Sequence, residues 1–130
     1  IMAFWNAPID DPRHERHAIE AAIEMQEELE MLNADLIAEG LPEIRIGIGI
    51  NTGRALVGNM GSEQRFDYSV IGDAVNLASR LESSSKSLGK TLIIGEETVR
   101  AAKQNYDFDF VDKITVKGKT EEIKVYTVKS

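Results

Sequence analysis

The stretch Phe66-Asp67-Tyr68-Ser69-Val70-Ile71-Gly72-Asp73-Ala74-Val75-Asn76-Leu77-Ala78-Ser79-Arg80-Leu81-Glu82 decides the fold, because it carries a strand into a helix across one Gly-Asp step. Residues 65–71 read as a strand, and Gly72-Asp73 as a turn in which Asp73 is the helix N-cap. Asn76 and Arg80 lie four residues apart, so a helix sets both on one face. An amide beside a guanidinium suits an anionic ligand that also bears hydroxyl groups. The same spacing suits a solvated surface, with Arg80 paired to Glu82 or Asp73 and Asn76 a surface amide.

Upstream, Ile44, Ile46, Ile48 and Ile50 alternate and predict a strand whose other face is Arg45, Gly47 and Gly49. Glycines weaken a strand, and close approach of a ligand or of another backbone is a reason for them. Asn51-Thr52-Gly53 reads as a turn. Residues 55–58 then form a short strand that pairs with 65–71 as a hairpin. Earlier still, a helix is predicted from Pro12 to about Ala38, with Asp11 as its N-cap and proline at its first position. Ala18, Ala22, Met25, Leu29, Leu32 and Leu36 make its expected core stripe. Ile1-Met2-Ala3-Phe4-Trp5 reads as an apolar strand with no lead-in, as if the chain were entered inside a domain.

Downstream, the helix runs into Ser83-Ser84-Ser85, and Leu92-Ile93-Ile94 is a short buried strand. A helix follows from Glu96 to about Lys103. Strands at 108–116 and 122–128 are joined by a turn at Lys117-Gly118-Lys119-Thr120. This order predicts an α+β domain, a mixed α/β sheet with helices packed on it.

The 130 residues fit one domain and can bury a real core. A formal net charge of −7 argues against a nucleic-acid-binding surface, and the lack of cysteine excludes disulfides and thiolate metal sites. No apolar run reaches a membrane span, so the expectation is a cytoplasmic domain without direct membrane contact, any tether lying elsewhere in the protein. Gly-Lys-Thr occurs at 89–91 and 118–120, but a P-loop also needs a glycine where Ser84 and Lys113 stand. Asp67, Asp73, Asp107, Asp109 and Asp112 form no metal-ligand spacing, and His14 and His17 read as surface histidines.

With these residues in place, Phe66 to Glu82 resembles the signature of class III adenylate and guanylate cyclase catalytic domains, of the bacterial adenylate cyclase type. Met2-Ala3-Phe4-Trp5, Arg45-Ile46-Gly47-Ile48-Gly49-Ile50-Asn51-Thr52-Gly53 and Val116-Lys117-Gly118-Lys119 resemble further parts of that family, in the same order. The resemblance implies a ferredoxin-like sheet and a homodimer with active sites at its interface. It implies conversion of ATP to 3′,5′-cyclic AMP and pyrophosphate, in signalling, with two Mg²⁺ or Mn²⁺ ions. Asn76 then corresponds to the residue that orients the ribose, and Arg80 to the one that stabilises charge at the α-phosphate. Lys117 and Arg45 correspond to phosphate contacts, with Gly47 and Gly49 leaving room beside Arg45. Ser69 stands where the purine is read, and its hydroxyl fits adenine without excluding guanine.

The resemblance also places the two metal-binding aspartates, the first strand and its helices before Ile1, so residues 1–130 correspond to the C-terminal portion of one catalytic domain. No metal ligand is therefore expected in this stretch, and these residues alone are expected to show no turnover and to dimerise with unusual, even exchanged, strand pairing. Two alternatives stand beside the adenylate cyclase reading: a guanylate cyclase, and a non-catalytic regulatory or dimerisation module of the same fold.

Overall fold

The computed structural model describes residues 1–60, 67–115 and 121–129. In chain order the elements are α1 (His14–Ala38), β1 (Ile48–Ile50), β2 (Leu56–Met60), β3 (Asp67–Ile71), α2 (Asp73–Ser84), β4 (Leu92–Gly95), α3 (Glu96–Ala102), β5 (Phe108–Thr115) and β6 (Glu122–Val128). Four strands make one mixed sheet in the order β1-β4-β6-β5, and β2 and β3 form a separate antiparallel pair. β1 runs parallel to β4, while β6 runs antiparallel to both of its neighbours, β4 and β5. The expected α+β class, with helices on a mixed sheet, is what the chain adopts.

β4 organises both cores. All four of its residues are buried, as a strand covered on both faces requires. Leu92 and Ile94 point to one side and join Ile19, Ala22 and Ala102 from α1 and α3. Ile93 points to the other side and joins Leu81 of α2 and Val125 of β6. The period-two alternation of a three-residue apolar run thus glues helices to opposite faces.

Several expectations need correction. Residues 1–5 form no strand: a strand needs a neighbour's amides and carbonyls, and none among the described residues pairs with them. Phe4 instead stacks on Tyr68 at 5.8 Å. The predicted strand from Ile44 shrinks to Ile48–Ile50. Its partner begins only at Leu92, opposite Ile48, and the Ile44 amide and carbonyl are held by the Asn33 side chain of α1 at 2.8 and 2.9 Å. The α1 stripe also differs. Ala18, Ile19 and Ala22 are buried, whereas Met25 and Leu32 are exposed. A 25-residue helix is about 38 Å long, and it outruns the short strands beneath it.

α1 begins at His14, with Pro12 and Arg13 in a lead-in turn. Asp11 still governs that start: its Oδ1 accepts the Arg13 amide at 3.0 Å, and its carbonyl accepts the His14 amide at 3.1 Å. His17 Nδ1 donates to Asp11 Oδ2 at 2.6 Å, so this histidine braces the helix entry.

α2 starts at Asp73, and its N-cap is Gly72, not Asp73. The Gly72 carbonyl accepts the amides of Val75 and Asn76. Gly72 has φ 150°, a conformation natural to glycine. Asp73 becomes the acidic residue of the first turn, where the helix dipole favours it. At the far end, Ser83 and Ser84 hydroxyls donate to the Arg80 carbonyl and the Ser85 hydroxyl to that of Glu82, the back-bonding that serines favour at helix ends.

The glycines of β1 have a definite cause. A Cβ on Gly49 would collide with the Ala78 carbonyl oxygen and the Glu82 amide of α2, and one on Gly47 with Ser85 Oγ. A Cβ on Gly53 would lie 2.6 Å from that of Ala74. The approaching groups belong to α2 and its C-cap, backbone atoms at Gly49 and side-chain atoms at Gly47 and Gly53, so the room expected beside Arg45 for a ligand is filled by helix.

Two outcomes follow. Gly49→Ala should destabilise the chain by about 3 kcal/mol, because both colliding atoms are backbone. Gly58→Ala, with nothing within 4 Å of its Cβ, should be neutral or gain up to about 0.5–1 kcal/mol; urea midpoints check both. The hydrogen bond from His17 holds the Asp11 carboxyl below its ordinary value. A lowered carboxyl contributes stability that is complete above its unfolded value of about 3.9 and is lost as pH falls through the folded one. His17→Ala should return Asp11 toward the ordinary value and remove that part of the acid-unfolding profile, read by NMR titration of the Asp11 carboxyl.

Candidate functional site

The β3–Gly72–α2 unit presents the polar residues singled out in the sequence. Asn76 and Arg80 are both exposed on α2, one turn apart. Among the described residues, neither side chain takes a hydrogen bond or an ion pair, so the pairing of Arg80 with Glu82 or Asp73 does not occur. With no side-chain partner among the described residues, the exposed Arg80 guanidinium has donors to offer a ligand.

The opposite side of α2 faces inward. Leu77 and Leu81 pack on Ile93 and Val125, and Ala78 lies over Gly49. A cavity of about 600 Å³ lies between the N-terminal segment, the end of β1 and α2. On α2 it is lined by Ala74, Val75, Ala78, Ser79 and Glu82, and neither Asn76 nor Arg80 reaches it. At 100° per residue those two positions lie across the helix from Ala78. The polar pair therefore belongs to an outward surface, and the cavity to the interior side of the same helix.

Ser69 sits on β3, half-buried, opposite Gly58 of β2. One short strand end and the Gly72 turn separate it from α2, so β3 delivers Ser69 and the polar pair from one continuous unit. Arg45 is exposed and lies three residues before β1, just after the Asn33 brace at Ile44. It comes from a different segment than Ser69, Asn76 and Arg80. Lys117 lies outside the described residues.

Residues at the end of β1 were missed as more than a turn. Asn51 Nδ2 donates to the Ala74 carbonyl at 3.0 Å, and Thr52 Oγ1 lies 2.7 Å from Oγ1 of the buried Thr98 on α3. The available signal was the period-two row Gly47, Gly49, Asn51, Gly53, in which one amide interrupts a glycine face.

The described residues contain no group of three or more His, Asp or Glu that could hold a metal ion. The two-ion requirement implied by the sequence resemblance is thus not met by this set of donors. No helix of the described residues is long and apolar enough to cross a membrane.

Known proteins resemble this chain along nearly its whole length. The model of the adenylate and guanylate cyclase catalytic domain matches residues 2–130. Adenylate cyclase 1 of Rhizobium meliloti is 38% identical over 128 residues, covering 98% of this chain and 19% of that protein. The chain therefore spans about a fifth of that relative's length. The crystal structure of the adenylyl cyclase CyaB from P. aeruginosa superposes with a TM-score of 0.86 at 32% identity, over 95% of this chain and 64% of that one. The guanylyl cyclase Cya2 superposes at 0.82 with 32% identity, over 94% and 61%. With a signature helix in the expected place and a family match along nearly its whole length, this chain belongs to the adenylate and guanylate cyclase catalytic domain family.

Proposed function

We propose that the protein containing this chain is an adenylate cyclase, and that α2 supplies the half of its active site that handles the ribose and the reacting phosphate. The supporting observation is the outward pair Asn76 and Arg80, without a side-chain partner among the described residues, on a helix fixed by backbone contact. In the reaction, the 3′ oxygen of ATP forms a bond to the α-phosphorus while the bond to the β-phosphate bridging oxygen breaks. The 3′ hydroxyl gives up its proton, and pyrophosphate leaves with the electron pair. Charge grows on the phosphoryl oxygens, so directed donors stabilise the transition state more than the ground state.

Arg80 offers a planar fork that can grip two phosphoryl oxygens at once. Asn76 offers both a donor and an acceptor, which suits a ribose hydroxyl that must be aimed in line. Ser69 meets the purine, and Arg45 and Lys117 bind phosphate oxygens. An outward half-site needs a complement, and we assign it to a second copy of the chain in a homodimer. ATP as substrate fits a cytoplasmic location. A family cyclase draws on Mg²⁺ or Mn²⁺ for further charge stabilisation. The described residues do not compose that site.

A second reading applies to residues 1–130 taken alone. Lacking a carboxylate cluster among the described residues, they act as a binding and dimerisation module without turnover. Guanylate cyclase remains the alternative for substrate, since Ser69 accommodates either purine.

Three measurements test these statements. The full-length native protein, assayed with Mn²⁺ and either ATP or GTP, should form cyclic AMP in preference to cyclic GMP. Arg80→Ala in that protein should lower kcat about 10³-fold with the fold intact. A folded full-length protein that makes neither cyclic nucleotide rules out the cyclase, and preference for GTP reassigns the substrate. The isolated residues 1–130 should make no product under the same conditions, and measurable turnover would refute their assignment as an incomplete site.

A further inference from the structure

We infer that Asn51 is a positioning residue that sets where Asn76 and Arg80 stand, by clamping the first turn of α2 to the end of β1. The inference rests on the cyclase reading for its consequence, but its geometry is independent of it. The row Gly47, Gly49, Asn51, Gly53 faces α2, and three of its four members bring no side chain. Glycine contacts of this kind are close but not directional, because bare backbone offers no ridge to interlock with the helix. Such a seat fixes how near the helix lies and leaves its rotation and slide loosely defined.

Asn51 supplies the missing direction. Its Nδ2 donates to the Ala74 carbonyl at 3.0 Å, in the first turn of the helix. Among the described residues it is the one side-chain hydrogen bond that joins the β1 end to α2. The amide is held from behind as well: a Cβ on Gly95 would lie 2.5 Å from Asn51 Oδ1, so only glycine there leaves the side chain its place. The neighbouring Thr52–Thr98 hydroxyl pair ties the same turn to α3. Asn51 thus reaches from a turn that is itself anchored. Asn76 follows Ala74 by two residues and Arg80 by six, on one continuous helix, so a tilt at Ala74 carries directly to both.

A displacement of about 1 Å at a reacting centre can cost up to about 100-fold in rate. In the full-length native protein, Asn51→Ala and Asn51→Asp should therefore lower kcat per folded molecule by roughly 10- to 100-fold, with KM for ATP changed less than threefold. Asn51→Asp matches the shape but faces a carbonyl with an oxygen that cannot donate. Gly95→Ala, which displaces the Asn51 side chain, should give the same loss alone. It should add almost nothing in an Asn51→Ala background, a non-additivity that general destabilisation does not produce. Hydrogen exchange at the amides of residues 75–80 should quicken in Asn51→Ala while β5 and β6 stay unchanged.

Unchanged kcat per folded molecule, or additive effects of the two substitutions, would overturn the positioning role. If the wild-type protein makes no cyclic nucleotide, the cyclase reading fails and the exchange measurement decides the clamp by itself. Faster exchange confined to 75–80 upholds it, and exchange equal to wild type refutes it.

Discussion

Everything that presents Asn76 and Arg80 depends on one close approach, backbone against backbone, between β1 and α2. Ala78 and Glu82 occupy the volume that side chains at Gly49 would claim. This contact lets Leu77 and Leu81 reach down to Ile93 and Val125, and it turns the opposite side of the helix to solvent. The energetic gain is the burial of Leu81, Ile93 and Val125, none of which retains any exposure. The entropic cost of strand glycines is offset by that burial. Removing the closeness would part the helix from the sheet and tip its polar face.

β4 is the second constraint. It is short, and it serves two cores at once because alternate residues enter opposite layers. The α1 and α3 layer and the α2 layer are therefore not independent. A change of volume at Ile93 is felt on the α2 side, while one at Leu92 or Ile94 is felt under α1. Thr98, fully buried beside this strand, finds its partner in Thr52, so no buried polar side chain among the described residues lacks a hydrogen bond.

How far the sequence alone could be read follows from which interactions are local. β6 and α3 were legible nearly to the residue, because alternation and flanking polar residues bound them. The outward pair on α2 was legible because helical spacing is a local property. The extent of β1 was not, since it is set by where Leu92 begins, more than forty residues away. The α1 stripe misled for a similar reason: Met25 and Leu32 have the right period, but they belong to neither apolar cluster and stay exposed. Asn51 was read as a turn residue because its partner, Ala74, is 23 residues distant. Glycines at 47 and 49 correctly announced a close neighbour, but composition could not say whether it was ligand or backbone.

The separation of β2 and β3 from the main sheet has a consequence of its own. Ser69 rides on a two-stranded ribbon whose cross-strand partner is Gly58, a position with open space around it. Arg80 rides on a helix locked to the core. Ser69, which belongs to neither apolar cluster, can be exchanged during evolution without repacking them, whereas the helix tolerates almost no change on its seated side. On the proposed assignment of Ser69 to the purine and Arg80 to the phosphates, a fold divided in this way lets base preference drift among descendants while the phosphate side is inherited intact. Adenylyl and guanylyl cyclases sharing one architecture is the pattern such a division would leave.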